Sequence, residues 1–162
     1  MSRRLMVLLI VTALAALAAL SGCAQGSSTP TAPEIRYGED VCVDCNMIIS
    51  DPRFASAYAY EIEPGRYESL AFDDIGDMLN HARAHPENTV VSWWVHDYYT
   101  EEWIDATTAI YVASENIQSP MGHGVAALAQ QADADKLVAE VGGDVLDWDK
   151  ARVHLAMAGH MH

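Results

Sequence analysis

The sequence predicts an α+β domain of two similar halves, and three observations carry the prediction. Short runs rich in aromatic and β-branched residues are separated by turn-forming Asp, Pro and Gly. One segment of helical period, with a cap and a stop signal, interrupts them. The same order of runs then recurs downstream, although no residue identity marks a repeat.

Residues 46–50, NMIIS, and 54–60, FASAYAY, read as two strands parted by the turn-prone SDPR. In the second, Phe54, Ser56, Tyr58 and Tyr60 alternate with alanines, the period of a strand with one bulky face. EIEPGRYESLAF holds a Pro-Gly turn before a further extended piece. DDIGDMLNHARAHPE reads as a helix: Asp73 or Asp74 caps it, Ile75, Met78 and Leu79 share a face, and Pro86 stops it. TVVSWWVHDY, 89–98, is a strand by its β-branched and aromatic content. In the second half EEWID and AIYVAS read as strands, and HGVAALAQQADADKLVAEV as a helix broken near Ala132. GGDVLDW reads as a glycine turn into a last strand, and DKARVHLAMAGHMH as a trailing helix.

The N-terminus sets the compartment. Arg3 and Arg4 precede an apolar run from Leu5 to Leu20, the order of an export signal too short to span a membrane comfortably. Leu20-Ser21-Gly22-Cys23 resembles a bacterial lipobox, so residues 1–22 are expected to be removed and Cys23 to carry the lipid. A lipid tethers the chain to a membrane face without spanning it, and the export route stays open, since two arginines also suit the twin-arginine pathway. Residues 23–34, small, polar and Pro-containing, form a flexible tether. Residues 35–150 then make one ordinary domain, and 151–162 a His/Met-containing tail with His154, Met157, His160, Met161 and His162. Past the leader, seven Lys and Arg face 23 Asp and Glu. Nucleic acid is thereby excluded as a partner, because phosphate contacts need a basic surface.

With Cys23 lipidated, two thiols remain, both in EDVCVDCNMIISD. Along a regular strand Cys45 and Met47 point to one side and Cys42 to the other. No helix pattern follows the Cys-x-x-Cys, so geometry favours thiolate plus thioether over a thiol pair. Those are soft donors, which select Cu(I) over Mg, Ca or Mn, and structural zinc sites rarely use methionine. A third soft donor stands in SPMGHG, where Pro120 and Gly122 frame a turn that presents Met121, with His123 next to the expected helix start. The bland alternatives are burial of Met47 in a strand, Met121 as a plug into the core, His123 as an ordinary helix-start residue, and a Cys42–Cys45 disulfide. No phosphate loop, Ser/His/Asp set or flavin fingerprint occurs, so no catalytic residue is assigned.

Taken in order, the lipobox, Cys45-Asn46-Met47-Ile48-Ile49-Ser50-Asp51, AFDDIGDML and SPMGHGVAALA resemble the NosL family of nitrous oxide reductase accessory lipoproteins, over about Glu39 to Trp148. The resemblance implies a lipid-anchored Cu(I) chaperone facing the periplasm or extracytoplasmic space, not an enzyme. It implies two ββαβ-like halves in an organomercurial lyase-like arrangement, and copper ligands at Cys45, Met47 and Met121; His123 is a further candidate ligand from the SPMGHG loop itself. The implied partners are nitrous oxide reductase with its maturation apparatus and the membrane reached by the N-terminal lipid; a metal-linked homodimer is left open. Asn46 stands where many members have glycine, and Cys42 is an additional thiol whose role is open. Two rival readings are an organomercurial-lyase-like enzyme, with Asp44 or Asp73 as acid but no later cysteine, and an extracytoplasmic thiol–disulfide protein working through Cys42 and Cys45.

Overall fold

Two antiparallel sheets of matching topology form the fold, described over residues 29–158 in a computed structural model. The first half runs β1 (Ser56–Glu63), β2 (Arg66–Phe72), α1 (Ile75–Ala84), β3 (Val90–His96) and β4 (Trp103–Asp105). The second runs β5 (Ile110–Ala113), β6 (Val125–Leu128), α2 (Gln131–Val141), β7 (Asp144–Leu146) and α3 (Trp148–Ala158). In each, the first strand is central: the sheet orders are β2-β1-β3-β4 and β6-β5-β7, with a helix between the second and third strands. Two ββαβ halves are therefore present, but EEWID, expected as the first strand of the second half, pairs with β3 in the first sheet as β4, and Val125–Leu128 supplies the second half's second strand instead.

Central position explains β1. Tyr58 stacks on Phe72 of β2 at 5.4 Å between ring centroids and meets Trp93 of β3 at the same separation. Ala57 and Ala59, on its other face, are also fully buried, so neither face is the solvated one an alternating strand usually shows. α1 begins where Asp74, in extended conformation, accepts the Gly76 N–H at 2.8 Å, and it ends at His85, the residue that Pro86 keeps from continuing a helix.

Three local expectations are corrected. Residues 46–50 are not a strand; only an isolated bridge, Val41 to Ile48, remains there, because Asn46 turns the chain with φ 60°. Residues 125–128 are β6, not helix: all four are buried, and a run buried on both faces shows neither period. His123 accordingly leads into a strand, and the helix starts only at Gln131.

The halves are joined at the end of β3 and around Trp148, among other places. At the end of β3 the Asp97 carboxylate accepts the backbone N–H of Ala129 at 2.7 Å, and Tyr98 N–H reaches Ala127 O at 2.8 Å. On the opposite side Trp148 packs on Trp93 of the first sheet and Tyr111 of the second, at 5.6 and 6.0 Å. Behind it Ala151 and Leu155 are fully buried, so α3 carries the packed domain past residue 150, as far as helix end at Ala158. The signal, Cys23, the first half of the tether and the tail residues His160, Met161 and His162 lie outside the described residues. Among the described residues no helix is long and apolar enough to cross a membrane.

Candidate metal centre

Two loops from opposite halves meet at the N-terminal end of α1, and each is held there by a carboxylate. The first is the cysteine loop. Cys42 N–H donates to Met47 O at 2.8 Å and Asn46 N–H to Cys42 O at 3.1 Å, which folds 42–47 into a tight turn. Fully buried Cys42 and Ile49 root it in the core, Val43 N–H bonds Ala71 O at 3.2 Å, and Ser50 N–H donates to Asp73 Oδ1 at 3.1 Å. The second is the connection from β5 to β6. Ser119 accepts the Gly122 N–H through its carbonyl at 3.0 Å and the Gly124 N–H through Oγ at 3.1 Å, while Met121 N–H donates to Asp74 Oδ2 at 3.3 Å. Gly124 is required here: its φ is 65°, and a Cβ would lie 2.6 Å from Ser114 O.

Between the loops stands Asp77. Its Oδ2 faces Cys42 Sγ at 3.5 Å, its Oδ1 faces His123 Nε2 at 3.5 Å, and one oxygen lies with the Cys42 and Cys45 sulfurs inside 4.8 Å of one another. His123 is seated by a second contact, since its ring lies directly against Gly76, where a Cβ would come within 2.5 Å of Nε2. Both cysteines are free thiols, and Cys45 N–H points at Cys42 Sγ at 3.5 Å.

The expected donors thus divide. Cys45, half-buried, and His123 are brought to one cluster. Met47 is 52% exposed at the rim of the cysteine loop and Met121 37% exposed on the 119–124 loop. The expectation that Cys45 and Met47 share one side of an extended segment, with Cys42 turned away, is overturned by the turn at Asn46, which gathers Cys42 with Cys45 instead. Asp77 was missed altogether. The signal available was its position in DDIGD, three residues after the cap, where an acidic side chain in the first turn also favours the helix.

A family model described as NosL matches residues 36–155. The chain belongs to the NosL family. The copper-binding lipoprotein NosL of Stutzerimonas stutzeri is 30% identical over 143 residues, which cover 81% of this chain and 73% of that protein. The crystal structure of the copper chaperone NosL from Shewanella denitrificans has the same fold, with a TM-score of 0.61 at 19% identity over 75% of this chain and 96% of that one. Neither name describes a catalyst.

Electrostatics in this NosL chain prepare the cluster for a cation. Burial pushes the Cys45 thiol well up, and Asp77 and Cys42 add to the rise, so Cys45 is a neutral thiol at pH 7. Burial alone would raise Asp77 as well, but hydrogen bonds from His123 and the two thiols outweigh it and hold the carboxyl below its usual range. The same contact with Asp77 raises His123 against the opposing effect of burial. A metal must displace the Cys45 proton to bind that sulfur as thiolate, so its loading releases a proton and strengthens as pH rises. Two sulfurs and one carboxylate form a set that favours a soft ion over a hard one.

Proposed function

We propose that this chain is a Cu(I) metallochaperone, anchored by lipid at Cys23 to a membrane on its extracytoplasmic side, that delivers copper for the copper centres of nitrous oxide reductase. The observation that supports the reading is the convergence on Asp77 of the 42–47 and 119–124 loops, the loops whose sequences hold Met47 and Met121. Cys45, Met47 and Met121 are the sulfur donors in this reading, and His123 closes the site on the Asp77 side. Thioethers are neutral and exchange readily, so an ion shared by thiolate and exposed thioether leaves for a partner more easily than one held by thiolates alone. The named relatives, a copper-binding lipoprotein and a copper chaperone, support the cargo, and the lipobox supports the anchor. Delivery to the reductase and its maturation apparatus rests on the motif resemblance.

Competition against a chromophoric Cu(I) chelator under anaerobic conditions tests the reading. The full chain should take one Cu(I) and exclude Zn(II). Cys45→Ser should weaken binding by about 100-fold or more, and Met47→Leu or Met121→Leu by about tenfold, the range over which ligand-sphere changes act. Unchanged Cu(I) affinity in the Cys45→Ser protein refutes the assignment.

A further inference from the structure

The side of α1 turned away from the sulfur cluster borders a groove that the metal centre does not use. Successive helical residues are about 100° apart, so Ala82 and Arg83 lie about 140° and 240° round the axis from Asp77. They line a groove of about 600 Å³ together with Trp93 of β3 and Arg152, Val153 and Ala156 of α3. The α3 positions are three and four apart, the spacing of a helix face that packs on another segment. Val153, on that face, is 58% exposed.

Charge sets this groove apart from the rest of the surface. Past the leader the chain has only seven basic residues against 23 acidic ones. Arg36, Arg53, Arg66 and Lys150 each have a carboxylate within 3.1 Å. Arg83 has no such partner among the described residues, and its guanidinium donates to Asn80 Oδ1 at 3.0 Å. Arg152 reaches Asp149, which also lines the groove, only at 3.9 Å, and lies over the Trp148 ring. Two of the seven basic side chains thus flank one apolar groove with their charge largely unspent.

We propose that this groove is the seat of an acidic, amphipathic helix of a partner protein, with the partner's apolar stripe on Ala82, Trp93, Val153 and Ala156 and its carboxylates on Arg83 and Arg152.

An apolar floor between guanidinium groups calls for exactly opposite chemistry along one stripe of the ligand, the mode in which a helix lies in a groove. The chain's own ends do not supply it, because residues 24–28 and 159–162 contain no Asp or Glu. A second copy does not supply it either. Its acidic helix α2 turns its apolar face inward, with Ala134 and Leu137 buried. A bilayer is too flat to fill a groove, and the acid excess of the chain repels an anionic one. Because the seat lies about half a turn round α1 from Asp77, a partner held there docks on a different side of the helix from the 42–47 and 119–124 loops. The inference goes beyond the Cu(I) carrier reading and does not depend on it, since no sulfur takes part.

Nuclear magnetic resonance on the isotope-labelled full chain tests the seat. The probe is an end-blocked helical peptide of repeated Leu-Ala-Ala-Glu, compared with peptides carrying Gln or Lys in place of Glu. The expected shifts fall on residues 79–83, the Trp93 indole and residues 149–156, with a Kd on the order of 0.1 mM that weakens as salt rises. Arg83→Glu, at an exposed position, should weaken binding at least tenfold, and the Gln peptide about fivefold. Ala156→Phe, which fills the groove, should abolish binding; should it not fold, Arg83→Glu decides alone. Absence of shifts at about 1 mM peptide overturns the seat. So does equal binding of the Gln or Lys peptide, or full binding by Arg83→Glu. Self-association of the chain that Arg83→Glu abolishes would give the groove to a second copy, and binding to phosphatidylglycerol vesicles without peptide binding would give it to the membrane; either overturns the proposal. Cu(I) competition on Arg83→Glu is expected to match wild type and is read separately, so failure of one reading is not failure of the other.

Discussion

Replacing Gly76 by Ala asks whether His123 is held by the face of α1 or merely passes near it. A Cβ at this position would stand 2.5 Å from His123 Nε2. The ring's Cδ2 would be nearer still, and ordinary carbon contact needs roughly 3.5 Å, so the ring must withdraw by more than about 1 Å. The His123–Asp77 contact is already long at 3.5 Å and does not survive that retreat. A hydrogen bond between charged groups contributes about 1.5–3 kcal/mol, and its length puts this one at the low end. Alanine returns up to about 1 kcal/mol of helix propensity. The net expectation is a loss of about 1 kcal/mol, which for a domain of this size lowers Tm by roughly 3–5 °C. The sign with pH follows from linkage. His123 is raised in the folded chain, so its contribution is fully present below its unfolded pKa of about 6.5 and fades as pH rises through the folded value. The two proteins should therefore differ most near about pH 5.5 and converge in alkali. Histidine NMR titration supplies the second readout: the His123 pKa should fall toward its ordinary value in Gly76→Ala. A Tm that rises, with the His123 titration unmoved, refutes the seating of this ring.

Two further predictions concern the joints between the halves. Asp97 accepts backbone N–H groups from Tyr99, Thr100 and Ala129, and these hold its carboxyl low despite burial, so Asp97→Ala should cost about 1–3 kcal/mol in urea denaturation, since two of the three donors lie on exposed residues and can turn to water. Because its pKa is depressed on folding, that contribution is present above the unfolded value and lost as pH falls through the folded one; a wild-type acid transition no steeper than that of Asp97→Ala would refute the role. Leu155→Ala removes a fully buried side chain of α3 and should cost about 2–5 kcal/mol; a change under about 0.5 kcal/mol would mean that α3 is dispensable to the domain.

The elements legible in the sequence are those whose signals are local. Asp74 followed by an apolar face and Pro86 marks α1 unambiguously, and the Val90–His96 strand announces itself by composition. The recurrence of halves also shows, because each half repeats the order strand, strand, helix, strand. What failed to show depends on distant partners. Val125–Leu128 has the small, apolar composition of a helix, and only pairing with Ile110–Ala113 makes it a strand. Cys42 reads as facing away from Cys45 as long as the segment is taken as extended; the φ of 60° at Asn46 that reverses this is tolerated by asparagine without being signalled by it. Asp77 is invisible for a third reason. As a first-turn acid it already has a sufficient local explanation, and its contacts, Cys42 and His123, lie 35 and 46 positions away.

The duplicated topology explains why the centre sits where it does. In the first half β1 and β2 are joined by the short Pro64-Gly65 turn, but the matching connection in the second half, β5 to β6, spans Ser114 to Gly124. That added length lets the second half reach across to α1 of the first, where Asp74 and Asp77 receive Met121 and His123. The cysteine loop comes to the same helix end from the other direction and is received by Asp73 and Asp77. Three acids of one short stretch, Asp73-Asp74-Ile75-Gly76-Asp77, therefore hold two segments that no strand ladder secures. A contact made by one carboxylate and one backbone N–H contributes only about 1–3 kcal/mol. Either loop can thus yield without disturbing a sheet, while Cys42 stays rooted in the core. In the carrier reading proposed above, an ion held between the loops would open to a partner at modest energetic cost, through where the fold places its acids as much as through where it places its sulfur.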